Sequence, residues 1–158
     1  MGRRYSVSTE AVAVSAAQDL LQIKGATGKI LRIRSISVGA TDTTEPTAQQ
    51  MELRCRFLPA TVTDGSGGTT PTPRPYDAGD AAASFTAKAN NTTPATSSGT
   101  VAVLEEWGVH IANGLIWVFP DAETPIVGPS ESFTFELLST VTGTVHLSTK
   151  ATVEELGG

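Results

Sequence analysis

With 158 residues, 39% hydrophobic and 17% charged, the chain is long enough to bury one sizeable core and short enough to be one domain, 1–158. A net charge of −5, from 11 Lys and Arg against 16 Asp and Glu, argues against nucleic-acid binding, which needs clustered cations to displace phosphate counterions. The single cysteine, Cys55, rules out an intrachain disulfide, and no run approaches the ~18 apolar residues of a membrane span.

The N-terminus, MGRRYSVS, has no apolar signal core, so a cytoplasmic product is expected. Met-Gly followed by Ser6 matches a myristoylation pattern only superficially, since Arg3 and Arg4 intervene. Residues Arg4 to Ser15 read as a first strand. Val7 lies on one phase and Val12 and Val14 on the other, which predicts a bulge near Glu10 and Ala11. A short strand from Leu20 to Ile23 leads to a tight turn at Gly25 to Gly28. The next strand, Lys29 to Val38, slips phase between Ile33 and Ile36. GATGK at Gly25 to Lys29 is not a phosphate loop, which needs four residues between its glycines and Ser or Thr after the lysine.

The clearest strand is Gln49 to Leu58. Met51, Leu53, Cys55 and Phe57 alternate with Glu52, Arg54 and Arg56, the two-residue period of a strand with one buried face. Cys55 is therefore expected in the core. The segment 59–81 follows, with Gly65, Gly67 and Gly68 ahead of Pro71, Pro73 and Pro75. It reads as a long surface loop, either a mobile flap or a loop that docks on a partner.

A short strand surrounds Phe85, and Asn90 to Gly99 reads as a polar turn. Thr100 to Ile111 is a long strand, and Asn113-Gly114 is the strongest hairpin signal in the chain. The return strand, Leu115 to Phe119, is apolar at every position, as expected of a strand buried on both faces or facing another subunit. Ser132 to Leu138 turns Phe133, Phe135 and Leu137 inward. With Thr144 to Glu154 it reads as a terminal hairpin. Eight or nine antiparallel strands with long loops and no convincing helix predict an all-β fold, a β-sandwich or jelly-roll-like barrel.

No catalytic motif emerges. His110 and His146 lie on strands without ligand-spaced neighbours, and no Gly-x-Ser-x-Gly elbow is present. Glu105 and Glu106 point to opposite faces of a strand, so they do not form an acid/base pair. Asp64, Asp77 and Asp80 match no calcium-loop spacing. Trp107 and Trp117 are core or interface anchors. No enzyme activity, cofactor or metal is expected.

The strings IKGATGKILRIRSISVGA, LRCRFLPATVTDGSGGTTPTPRPYDAGDAAASFTA and SESFTFELLSTVTGTVHLS, with the Asn-Asn-Thr-Thr turn, resemble a family of small virion proteins of tailed bacteriophages. The resemblance implies a capsid decoration (cement) protein with a jelly-roll-like fold. Such a protein binds the major capsid protein on the outer surface of the virion, as a homodimer or homotrimer, after assembly in the bacterial cytoplasm. It carries no residue-level motif. From composition, Arg3, Arg4, Tyr5, Pro73, Arg74 and Tyr76 are the candidate capsid contacts, and Leu115, Trp117 and Phe119 the candidate self-association strand. Two other readings stay open. A tail module binding bacterial surface glycan needs exposed tryptophans beside carboxylates, and a jelly-roll hydrolase needs His110 and His146 to converge on a metal.

Overall fold

The computed structural model describes residues 2–157. Thirteen strands and one 3-10 turn follow in order: β1 (Arg3–Val14), β2 (Gln18–Lys24), β3 (Ile30–Ala40), β4 (Gln50–Leu58), β5 (Val62–Thr63), β6 (Arg74–Pro75), β7 (Thr86–Asn91), β8 (Thr96–Ser97), β9 (Ala102–His110), β10 (Leu115–Val118), the 3-10 turn (Asp121–Glu123), β11 (Ile126–Val127), β12 (Ser132–Leu137) and β13 (Val145–Leu156). Nine of these strands have four or more residues, and all pair antiparallel.

They form two packed sheets. Sheet A runs β10-β3-β13-β1-β6, with β11 also on β3, and sheet B runs β7-β2-β12-β4-β9. Set β7 and the two-residue strands aside and count the remaining eight along the chain. Sheet A then reads sixth, third, eighth, first, and sheet B second, seventh, fourth, fifth. This interleaving is the strand order of a jelly roll.

The core is built from the inward positions of both sheets. On β13 the odd positions Val145, Leu147, Ala151 and Val153 are buried, and the even ones from His146 to Leu156 face out. On β4 the inward buried residues are Met51, Leu53 and Cys55, Phe57 is half-buried, and Leu58, buried as well, ends the strand. Both predicted phase slips are bulges. The β1–β13 register breaks between Thr9 and Val12, where Ala11 takes a positive φ of 44°. Across β3 it passes from Ser35–Thr152 to Ile33–Val153, leaving Arg34 unpaired.

Three expectations are corrected. The arms of the Asn113-Gly114 turn do not pair with each other: β9 pairs with β4 and β10 with β3, so the turn carries the chain from one sheet to the other. Gly114 has φ +63°, and a Cβ there would stand 2.6 Å from the Val38 carbonyl oxygen, so glycine is required at that position. Trp107 and Trp117 face each other across the sandwich with ring centroids 5.4 Å apart. Likewise β12 and β13 lie in different sheets and form no hairpin. Asn90 and Asn91, read as turn residues, end β7 and are buried.

The 59–81 segment lies on its own domain. Thr69 and Ala89 exchange two backbone hydrogen bonds of 2.9 Å, Ser66 bridges Thr93, and Gln22 Oε1 accepts from Gly65 N at 3.1 Å. β5 pairs with β8 over a small apolar cluster of Leu58, Val62 and Ala95 on the outer side of sheet B. Among the described residues no helix is long and apolar enough to cross a membrane.

Candidate interaction face and a buried charge cluster

The N-terminal residues and the proline segment meet at one corner. β6 pairs with β1, setting Tyr5 beside Pro75 and Ser6 beside Arg74, and Tyr76 N donates to Arg4 O at 2.9 Å. Tyr76 is 54% exposed. Its hydroxyl hydrogen-bonds Thr152 Oγ1 at 3.2 Å, and Lys150 Nζ lies 5.3 Å from its ring centroid. Arg3 Nε approaches Asp80 Oδ1 at 3.6 Å. Gly2, Arg3, Arg4, Tyr76, Asp77 and Asp80 line a recess of about 630 Å³, with Pro73 half-buried just ahead of β6. Tyr5 does not belong to this surface. Strand alternation turns it inward with Val7, where its hydroxyl donates to Ala81 O at 3.0 Å and its ring meets Phe85 edge-on.

The same alternation corrects the candidate self-association residues. Phe119 is buried, and Leu115 and Trp117 turn inward, half-buried against the core. The exposed residues of β10 are Ile116 (80%) and Val118 (67%). The run LIWVF is apolar throughout, so its sequence carried no phase.

Registers assemble the outer face of sheet A into three rows, because directly paired residues share a face. One runs Ile116, Ser37, Lys150, Ser8. The second runs Val118, Ser35, Thr152, Ser6, Arg74, and the third Ile126, Arg32, Glu154, Arg4. The face therefore grades from an apolar edge, through small hydroxyl side chains, to a basic and aromatic edge at Tyr76.

Sheet B carries a different outer face. Its central row is Glu106, Arg54, Glu136, Asp19, Asn91, one residue from each strand. Arg54 donates to Glu136 Oε2 from Nε and Nη2, both at 2.9 Å. Arg56 Nη2 pairs with Glu136 Oε1, and Thr134 Oγ1 donates to the same oxygen at 3.1 Å. Asp19, fully buried, accepts from Ala95 N at 2.7 Å through Oδ2, and Arg56 Nη2 stands 4.0 Å from its Oδ1. Burial, with Glu136 alongside, raises the Asp19 carboxyl to about 7, against the lowering effect of the Ala95 N–H. Asp19 Oδ1 and Arg56 Nε have no hydrogen-bond partner among the described residues. These groups floor a pocket of about 180 Å³ with Ala17, Pro94, Leu137 and Leu138 on its walls. The sequence signal for this cluster was the outward phase of Arg54 and Arg56; nothing in it indicated that Asp19 and Glu136 lie on flanking strands.

The two histidines stay apart, on different sheets. His146 Nδ1 meets Asp42 Oδ1 at 2.7 Å and its backbone N donates to Asp42 Oδ2 at 3.0 Å, hydrogen bonds that hold the Asp42 carboxyl below its usual range. His110 ends β9 at the edge of sheet B. Among the described residues no three His, Cys, Asp or Glu side chains gather as a metal site. Cys55 is buried, and desolvation followed by Glu105 lifts its thiol well above the ordinary value. No family model, no curated protein and no solved structure matches the chain.

Proposed function

We propose that this chain is a non-enzymatic structural protein of a bacteriophage virion, a capsid decoration protein that binds the major capsid protein through the outer face of sheet A. The observation that carries the reading is that face itself: three aligned rows of Ser, Thr and charged side chains in which Lys150, Arg32, Arg4 and Arg74 outnumber Glu154, with Ile116, Val118 and Ile126 exposed along one edge and Tyr76, Arg4 and Arg74 along the other. A broad, net basic surface rich in hydroxyls, with apolar and aromatic margins, suits docking on a protein shell, and repetition over the shell supplies avidity. Jelly-roll order is shared by viral capsid proteins, lectins and cupins, so it supports the reading without selecting it; the phage-like strings make the selection. The glycan-module reading draws less support, because Trp107 and Trp117 pack against each other and the core, rings tilted by 59°, instead of lining an open groove.

The test is to mix purified protein with shells that lack it, sediment them and count bound copies. Saturable binding at a symmetry-related copy number is expected, weakened at least tenfold by Tyr76→Ala with Arg74→Glu. Absence of saturable binding overturns the reading, and so does binding that this double variant and Ile116→Lys both leave intact.

A further inference from the structure

The two sides of the sandwich are finished differently. On one side the 59–81 segment covers both sheet edges, with Thr69 hydrogen-bonded to Ala89 of β7 and β6 paired to β1. Covering an edge, and placing a proline such as Pro75 on it, are the means by which β proteins block pairing with other chains. On the other side, among the described residues, β9 ends sheet B with no strand beyond it. It is nine residues long, contains neither Lys nor Pro, carries a bulge at Leu104 and the charges of Glu105 and Glu106, and leaves Val103 and Leu104 exposed.

The pairing with β4 determines which groups that edge presents. Ile111 N donates to Gln49 O at 3.0 Å, so Gln49 turns its polar groups toward β9. Glu52, three residues on, turns the other way: its N–H donates to Ser139 Oγ at 3.2 Å and its C=O accepts from Leu138 N at 2.8 Å. Glu52 and Gly108 are therefore a non-hydrogen-bonded pair, and Gly108 directs its N–H and C=O at the open edge. By the same alternation Glu106, opposite Arg54, does likewise, and His110, opposite Gln50, directs its N–H there while its C=O already accepts from Asn113 N at 2.9 Å. The side chains of Glu106 and His110, either side of Gly108, share the outer face with Glu52, while Trp107 and Val109 are half-buried on the inner one.

We propose that this chain self-associates through β9, antiparallel across a two-fold axis at Gly108, joining two five-stranded sheets into one of ten. A two-fold pairing sets residues opposite whose numbers sum to twice the axial one. With Gly108 on the axis, Glu106 faces the partner's His110, Trp107 faces the partner's Val109, and the glycines face each other. An axis at 105 or 106 sets a glutamate against its own copy. An axis at 107 sets Glu105 against the partner's Val109 and pairs no charge. Of these axes only Gly108 sets a glutamate against a histidine and Trp107 against an apolar residue, and one position further along it sets Glu105 against the partner's Ile111. The histidine is oriented for this: Ala112 N donates to its Nδ1 at 3.3 Å, which leaves Nε2–H for a carboxylate. Nothing within the protomer demands glycine at 108, where φ is not positive and a Cβ would meet no atom within 4 Å. The inference stands independently of what sheet A binds.

Sedimentation equilibrium of the purified chain from micromolar to millimolar concentration tests it, with two surface substitutions alone and together. The wild type is expected to dimerise. His110→Glu sets carboxylate against carboxylate and Glu106→Lys sets donor against donor, twice per dimer, and each weakens association by about tenfold. The combined Glu106→Lys, His110→Glu variant restores opposite charges and recovers affinity to within about threefold of wild type. Amide exchange at Glu106, Gly108 and His110 slows as concentration rises. A wild type that stays monomeric across the range overturns the proposal, as does a dimer that neither single substitution weakens.

Discussion

Stability should fall as pH rises through neutrality, and Asp19 is the reason. In the unfolded chain its carboxyl ionises near 3.8; in the fold it does so at about 7. Between those values the folded protein holds a proton that the unfolded chain has released, so raising the pH favours unfolding. The contribution is complete below pH 3.8 and is lost as pH climbs through 7. The separation, 7 − 3.8, is about 3 pH units, and at ~1.36 kcal/mol per unit the largest loss is about 4 kcal/mol. Asp19→Asn removes the ionisation and keeps an oxygen for the Ala95 N–H, which now meets Asp19 Oδ2 at 2.7 Å. Urea unfolding followed by tryptophan fluorescence, at constant ionic strength from pH 5 to 8.5, should show wild-type stability declining across the range. The variant should give a nearly flat profile and be the more stable protein at pH 8.5. A wild-type profile that is flat or rises over this window, or an Asp19→Asn profile parallel to it, would refute the reasoning.

Glu136→Gln leaves Arg54 and Arg56 without their shared carboxylate, and by the cost of stranding buried charge it should lose about 3–5 kcal/mol in the same urea assay at pH 6. Gly68→Ala drives a Cβ into the Ala89 carbonyl oxygen, which costs about 1–3 kcal/mol and lifts the 59–81 segment off β7. Limited proteolysis should then cut within 59–81 while the core stays protected. Cys55 should resist iodoacetamide in the native protein at pH 8 and react within minutes in urea, because its thiol is buried and its ionisation suppressed; mass spectrometry of the alkylated protein reads this directly.

Local pattern and connectivity were legible to different degrees. The two-residue period exposed β4, β12 and β13, and the breaks in that period located both bulges, because a bulge shifts the phase of every residue after it. Connectivity was hidden because a tight turn reports only that the chain reverses. Asn113-Gly114 serves a crossover between sheets as readily as a hairpin within one, and the long-range partners decide: Met51 to Cys55 take β9, and Ser35 to Val38 take β10. With β9 and β10 assigned to opposing sheets, Trp107 and Trp117 become partners across the core instead of neighbours on one face.

The candidate faces were less legible for the same reason. Each row on the outside of a sheet combines residues far apart in the chain, as Arg4, Glu154, Arg32 and Ile126 do, and a shift of one position in any strand would send its member into the core. The corner at Tyr76 was partly visible, because Arg3, Arg4, Arg74 and Tyr76 are polar or amphipathic residues at a strand's start and in a proline-rich segment. Tyr5 sat at the same strand start and went inward because the strand's phase, set by Val7, outweighs composition. The same priority of phase over composition makes Ile116 and Val118 the exposed pair of β10. An apolar residue left outside by its strand's phase has to be covered by something else or tolerated in water, so Ile116→Lys with Val118→Thr should leave the unfolding free energy of the isolated protein, measured in urea, within about 0.5 kcal/mol of wild type. A larger loss would mean that those two side chains are already buried by a neighbour in solution, and equilibrium sedimentation of the same variant would then show whether that neighbour is a second copy.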